Sequence, residues 1–405
     1  MDCRLLETTR AMNHSHLMSL QRSFKITSLL VISVAIVNQL FYGSRQVSLM
    51  LGRDAIALSP TLQQTPSMPS QNFYNDTSRS FGACLLIKQD NYLLHEWIAY
   101  HYTVLPLRHL VIGSDEGNPE DPSTVVRKWS SVGLNYWIVN ASNFAERHGP
   151  FKMSKEDEED PRLRAHHALV HRQFGFLTVC AELLQQQGIQ WTTFIDTDEY
   201  VAVNWNVFNS SVQANYSSLL QQSENLTFLD ILKKSDPNQT SSCFNLPRVL
   251  TGALTNATCP DSSNQSPSSR INSSALTTFR FVQHANINNF EKNRFGKVLV
   301  DLSRIPHETV MRRPRSPHRP YADYCGYSWV KHPEQALFYL YHYIGGWEEY
   351  SLRSDNRRNQ IEWQQRAYIT DEVNCKARMW SWLPRFIQQV GETRAQYLLN
   401  QRDFD

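Results

Sequence analysis

Short apolar runs alternate with stretches of helical periodicity along much of the chain. Residues 83–87 (Ala-Cys-Leu-Leu-Ile) read as a buried strand. After the turn Lys88-Gln89-Asp90-Asn91, residues 92–102 place Leu93, Leu94, Trp97, Ile98 and Tyr102 at helical spacing. A second strand at 107–112 ends in the turn Gly113-Ser114-Asp115-Glu116-Gly117-Asn118-Pro119. A helix at 125–132 and a third strand at 134–139 follow. Residues 166–187 predict one long helix that stops at Gly188 and feeds the strand Trp191-Thr-Thr-Phe-Ile195. Further strands are expected at 297–303 and 335–343, then a terminal helical region at 368–390. This alternation predicts an α/β domain, a mostly parallel sheet flanked by helices.

Other stretches break the pattern. Residues 26–43 form a nearly uninterrupted apolar run, preceded by Arg4, Arg10, Arg22 and Lys25. The run is short for a membrane span, and the excess of basic residues before it predicts a cytoplasmic tail at 1–25. A cleaved signal peptide is the rival reading; the long preceding tail and the lack of an Ala-x-Ala-like site favour an uncleaved anchor. Residues 44–80, rich in Ser, Gln, Pro and Thr, read as a stem, and 81–400 as the globular domain. A polar insertion at about 205–275 carries most of the Asn-x-Ser/Thr acceptors, among them Asn209, Asn215, Asn225, Asn238, Asn256, Asn264 and Asn272. Six cysteines lie beyond the apolar run, Cys84, Cys180, Cys243, Cys259, Cys325 and Cys375. An even number without Cys-x-x-Cys spacing suits disulfides whose pairing sequence leaves open. Together these features predict a single-pass protein of the Golgi or another secretory membrane, its folded part in the lumen. A net charge of +2 over 405 residues gives no reason to expect nucleic acid.

The candidate chemistry sits where the strand at 191–195 meets Asp196-Thr197-Asp198-Glu199-Tyr200. Three carboxylates at a buried strand end repel one another unless a cation shares them. Asp196 and Asp198 lie two apart and can converge on one ion; oxygen ligands suit Mn²⁺ or Mg²⁺, which complete their shells with substrate phosphates. The bland alternative is a solvated acidic turn. His342 ends an aromatic strand before Gly345-Gly346, a placement equally compatible with a core histidine and a ligand. His167 and His171, an i,i+4 pair, lack a matching carboxylate and read with His166 as a polar helix face. The basic, Pro-rich stretch 312–320 could bind phosphate, but such runs are more often solvated.

Several of these blocks resemble one family. Lys88-Gln89-Asp90, followed by Leu93, Glu96-Trp97-Ile98 and Tyr100-His101, is similar to the opening block of glycosyltransferase family 92 and related family 2-like enzymes. The family usually reads Lys-Asn-Glu where this chain has Lys88-Gln89-Asp90. The Asp115 turn resembles its second block, Phe194 to Tyr200 its Phe-Ile-Asp-x-Asp-Glu-Phe, and His342-Tyr343 a late His-Tyr. The blocks span roughly 81–358 and leave the insertion unmatched. The resemblance implies a GT-A (Rossmann-like) fold and sugar transfer from a nucleotide-diphosphate donor to a glycan or glycoprotein acceptor, and it suggests galactosyl transfer with inversion. It implies Mn²⁺ (or Mg²⁺) on Asp196 and Asp198 with His342 as third ligand, and Asp90 and Asp115 at the nucleoside with Lys88 and Glu96 nearby.

An inverting transfer also needs a carboxylate base on the acceptor. Glu308, Asp323, Glu334, Glu348 and Glu349 qualify by position, and Glu348, just past the glycine pair, is the favoured one. Two other functions compete with the transferase. One is a carbohydrate-binding or scaffold protein that kept the fold and lost activity. The other is an aspartate-based phosphotransferase, disfavoured because Tyr200 stands where that motif has Thr or Val.

Overall fold

The computed structural model describes residues 80–150, 152–153, 159–204, 228–235, 240–254, 271–325, 333–351, 360–369, 371–373 and 381–400. The expected cytoplasmic tail, the apolar run at 26–43, the expected stem up to residue 79 and most of the sequon-rich insertion lie outside them.

A six-stranded sheet is built from β1 (Phe81–Ile87), β2 (Leu107–Ser114), β3 (Asn135–Asn140), β4 (Trp191–Phe194), β6 (Cys243–Leu246) and β9 (Lys297–Asp301). Its order is β3-β2-β1-β4-β9-β6. The first four strands are parallel, whereas β9 pairs antiparallel with both β4 and β6. A second, five-stranded sheet has the order β11-β8-β7-β10-β5. It uses β5 (Glu199–Val203), β7 (Arg248–Thr251), β8 (Gln283–His284), β10 (Phe338–Tyr343) and β11 (Glu372–Val373). Only the β7–β10 pair in it is parallel.

The expected single, mostly parallel GT-A sheet is therefore corrected: the fold is mixed α/β with two mixed sheets. The parallel half was readable because β1 to β4 are separated by helical crossovers. The remainder was not, because β6 and β7 come from a polar segment that reads as insertion and yet supply a strand to each sheet. The expected membrane helix is also not part of the observed fold. Among the described residues no helix is long and apolar enough to cross a membrane, and 26–43 falls outside them.

Two long helices cover opposite faces of the first sheet. Helix α1 (Asn91–Val104) connects β1 to β2, and helix α2 (Pro161–Gln186) precedes β4. Successive strand side chains point to opposite faces, and the core divides accordingly. Phe81, Ala83, Leu85 and Ile87 of β1 join Leu94, Trp97 and Ile98 of α1, while Cys84 joins Phe176, Leu177 and Cys180 of α2. The Cys84–Cys180 disulfide fastens β1 to α2 across this second face, and Cys243–Cys325 ties β6 to the short helix Ala322–Cys325. Gly113 on β2 permits the close approach of α2, since a Cβ there would stand 2.5 Å from the Phe176 ring. Helix α3 (Trp382–Val390), with Trp382, Leu383 and Phe386 buried, packs on α1.

β5 ends the second sheet, yet its outer edge is occupied. Tyr100 Oη donates to Val201 O at 2.9 Å, and Val201 N donates to His101 Nε2 at 3.3 Å. His101 Nδ1 faces Trp97 O at 2.9 Å, which fixes the neutral tautomer with its proton on Nδ1. Burial pushes the His101 pKa down to about 3. The unfolded chain takes up this proton below about pH 6.5, whereas the native state does not until about pH 3. His101 therefore adds stability above pH 6.5 that is lost progressively toward pH 3. Between pH 7 and pH 5 the loss from this residue is about 2 kcal/mol. His101→Gln should flatten the acid limb of stability against pH, read by urea unfolding at each pH; an unchanged slope would assign that limb to other groups.

Candidate active site

β4 ends at Phe194, and the following residues carry the chain out of the first sheet and into the second. Asp196 to Glu199 close a turn in which Glu199 N donates to Asp196 O at 3.1 Å and Asp196 N donates to Glu199 Oε2 at 2.8 Å. From α1, Trp97 Nε1 donates to both Asp196 O (3.1 Å) and Glu199 O (3.0 Å). From β10, Tyr343 N donates to Asp198 O at 2.8 Å. The backbone of the acidic turn is thus held by a helix and by the neighbouring strand.

Its side chains meet two partners. Lys297, the first residue of β9, places Nζ 2.9 Å from Asp196 Oδ2 and 3.3 Å from Glu199 Oε2. The antiparallel register of β9 on β4 sets Lys297 beside the end of β4. Gly296 lets this strand start close to β6, because a Cβ there would collide with Leu246 O. His342, opposite Glu199 in the β10–β5 ladder, has Nε2 3.4 Å from Asp198 Oδ2 and Nδ1 3.7 Å from Glu199 Oε1.

Burial opposes ionisation of Asp196, although 48 % of that side chain is open to solvent. The Lys297 ammonium outweighs it and holds the carboxyl below its ordinary value. Burial pushes Glu199 up to about 8 against the pull of Lys297, with Asp196 and Asp198 adding to the rise. For Lys297 burial favours the neutral amine, but Asp196 and Glu199 raise it above the usual lysine range. Burial lowers His342, so it is a neutral imidazole at pH 7 despite the pull of Asp198. With a proton on Glu199, Lys297 pairs with Asp196, whereas Asp198 lies beside the neutral His342 imidazole with Arg248 farther off. Oxygen donors beside a neutral imidazole fit a divalent cation. Among the described residues, however, no three His, Cys, Asp or Glu side chains already form a cage for one. Asp196 leans to Lys297, and Asp198 to His342.

No family model matches the chain, and no curated protein matches it.

The parallel strands put their C-terminal ends on one edge, so the Lys88–Asp90 turn and Asp115 share that edge with the acidic turn. Gln89 takes φ 60°, and its N–H donates to Asn118 Oδ1 at 3.0 Å, joining the loops after β1 and β2. Asp115 is buried and is clamped by Arg172 of α2, with Nε–Oδ1 2.7 Å and Nη2–Oδ2 3.1 Å. Glu96 departs from the expectation. Its buried carboxylate accepts from Thr277 N, Thr278 N and Thr278 Oγ1, capping the short helix Thr277–Arg280. Those contacts make it a structural residue. Glu348 is exposed at the start of the helix Trp347–Ser351, and its carboxylate has no partner among the described residues. Its neighbour Glu349 pairs with Arg280 at 3.0 Å.

Four participants were not singled out from sequence: Lys297, Arg172, Arg248 and His318. Lys297 opens a strand whose middle residues, Val298, Leu299 and Val300, are apolar and whose last is Asp301, and a lysine beside that run is the one signal the sequence offered. His318 and Arg319 belong to the stretch read as solvated, yet Arg319 lines a cavity and His318 is largely buried, its pKa pushed down to about 4 by burial and then by Lys297.

Trp97→Phe tests the support of the turn. It would remove the indole N–H that Asp196 O and Glu199 O share, with Asp196 O keeping its bond from Glu199 N, and should cost about 1–3 kcal/mol in denaturant unfolding. A loss under about 0.3 kcal/mol would mean that the contact does not hold the turn.

Proposed function

We propose that the protein is a metal-dependent glycosyltransferase that moves a sugar from a nucleotide-diphosphate donor to a glycan or glycoprotein acceptor in the secretory lumen. The observation that carries this reading is the excess of negative charge on a rigidly held turn at the C-terminal edge of a largely parallel strand group, where open α/β sheets bind ligands. The resemblance of the 88–101 and 194–200 blocks to glycosyltransferase family 92 supports the same reading. The luminal placement is supported by the sequons and by two disulfides, which persist in oxidising compartments.

Asp196 and Asp198 would hold Mn²⁺ or Mg²⁺, with His342 beside Asp198. Such ions are commonly bound by one or two carboxylates plus substrate phosphates, so the protein need not supply a complete cage. The imidazole favours Mn²⁺ over Mg²⁺. When bound, the ion would offset charge that develops on the leaving diphosphate. Lys297 fixes Asp196 and keeps Glu199 from repelling it. Lys88, Asp90 and Asp115 occupy the adjoining edge and suit the nucleoside, with Arg172 orienting Asp115. In the transfer, the acceptor oxygen bonds to the anomeric carbon as the bond to the diphosphate oxygen breaks. The leaving nucleoside diphosphate keeps the electron pair, and the acceptor proton passes to a carboxylate, for which we retain Glu348.

A thermal-shift series with nucleoside diphosphates, with and without Mn²⁺, addresses donor binding. Only a ligand of the native state raises Tm. Asp198→Asn should remove the Mn²⁺-dependent part of that shift and lower turnover of a nucleotide sugar at least 10²-fold. A shift equal in wild type and variant would discard the metal site. Glu348→Gln should lower kcat by about 10²–10⁴-fold with the nucleotide shift intact; an unaltered kcat would move the base elsewhere. Nucleotide binding without any turnover across sugar donors would favour the binding-protein alternative.

A further inference from the structure

Next to the acidic turn lies a cavity of about 460 Å³ between the two sheets' contributions from β6, β7 and β9. Among the described residues, four cationic side chains line it, Arg248, Arg294, Arg319 and Lys297, against one carboxylate, Glu334. Lys297 is already engaged by Asp196 and Glu199. Arg248 feels the Glu199 and Asp198 carboxylates only at a distance. Its Nη2 donates to Lys292 O at 2.6 Å, its buried Nε has no hydrogen-bond partner, and no carboxylate among the described residues pairs with it. Burial and then the nearby Arg366 lower its pKa to about 10 against the pull of Glu199 and Asp198, and the guanidinium stays charged. Arg294 lies 5.0 Å from the Phe295 ring and likewise has no carboxylate partner among the described residues. A buried donor left unmade is costly, and a planar guanidinium is matched by carboxylate, sulfate and phosphate oxygens.

The rest of the described wall is mixed, with Asn245, Asn288 and Asn293 beside apolar side chains. Pro247 and Ile287 contribute, and Phe290 keeps 62 % of its surface exposed. An apolar cleft with a few convergent polar groups is the usual form of a small-ligand site, and an open aromatic face suits the C–H surface of a sugar ring.

Sheet order says which ligand. In β3-β2-β1-β4-β9-β6, the Lys88, Asp90 and Asp115 loops stand on the β1–β2 side of the acidic turn, and the cavity stands on the β9–β6 side. A donor laid from the β1–β2 loops to Asp198 would direct its sugar toward the cavity. We propose that the cavity is the acceptor subsite and that it selects saccharides bearing an anionic group, a uronate, sulfate ester or phosphate ester, close to the hydroxyl that is glycosylated. This rests on the transferase reading, but its binding half can be measured without any donor.

The test uses full-length protein in detergent with EDTA present, so that neither metal nor donor contributes. Uronate-, sulfate- and phosphate-bearing oligosaccharides are each titrated against the neutral parent by ligand-observed NMR. At least one charged member should bind ten-fold or more tighter than its parent, and the preference should shrink as salt is raised. Arg248→Gln and Arg294→Gln should each reduce it to about two-fold or less, with Arg248→Lys keeping part of it as a check on folding. The Mn²⁺-dependent nucleotide shift should persist in all three. Equal binding of charged and neutral members, or a preference that survives both glutamine variants, overturns the proposal. So does loss of the nucleotide shift in Arg248→Gln with retained folding, which would give the cavity to the donor's phosphates. Failure of the nucleotide shift in the wild type with the saccharide preference intact would sink the transferase reading and leave an anionic-glycan binding protein.

Discussion

The contact between Lys297 and the acidic turn governs the centre of the molecule. Two sheets meet at Asp196–Glu199, and the turn that joins them concentrates three carboxylates in a segment of four residues. Without a cation inside the fold, their repulsion and desolvation would oppose folding there. Lys297 provides that cation from a strand that must run antiparallel to β4 for its first residue to arrive at this place. The mixed character of the first sheet and the electrostatics of the turn are thus one requirement. The compensation is partial, and a turn that is only partly neutralised keeps affinity for a further positive charge.

Position around the turn is equally constrained. Trp97 reaches it from α1, Tyr343 from β10, and His342 faces it across the ladder. A turn supported by rigid elements holds its charges in place before any ligand arrives, which would suit the proposed transferase chemistry. The acidic edge on one side and the arginine-lined cavity on the other make the region bipolar, with Lys297 between them.

The sequence disclosed what depends on local periodicity. β1, α1, β2, β3, α2 and β4 follow from runs of apolar residues and their spacing, and Asp196 and Asp198 stood out because carboxylates rarely follow a buried strand without a reason. Long-range pairings were beyond it. Nothing near Lys297 announces a partner 101 residues earlier in the chain. The apolar patch at 243–254 suggests strand content, but nothing in it announces that Cys243–Leu246 and Arg248–Thr251 complete two different sheets. Glu96 shows the opposite error: its place in a recognisable block suggested chemistry, whereas three donors from Thr277 and Thr278 make it a helix cap. The disulfide pairs likewise needed three-dimensional proximity.

β5 borders its sheet, and border strands ordinarily offer a template on which a second chain can add. Here the outward groups at Glu199 and Val201 are consumed by the indole, phenol and imidazole of one helix. Side chains therefore do the work that a further strand would do, and they cannot be displaced without uncovering the acidic turn. Strand addition along this border is thus opposed at Glu199 and Val201, and this stretch offers a second chain no template.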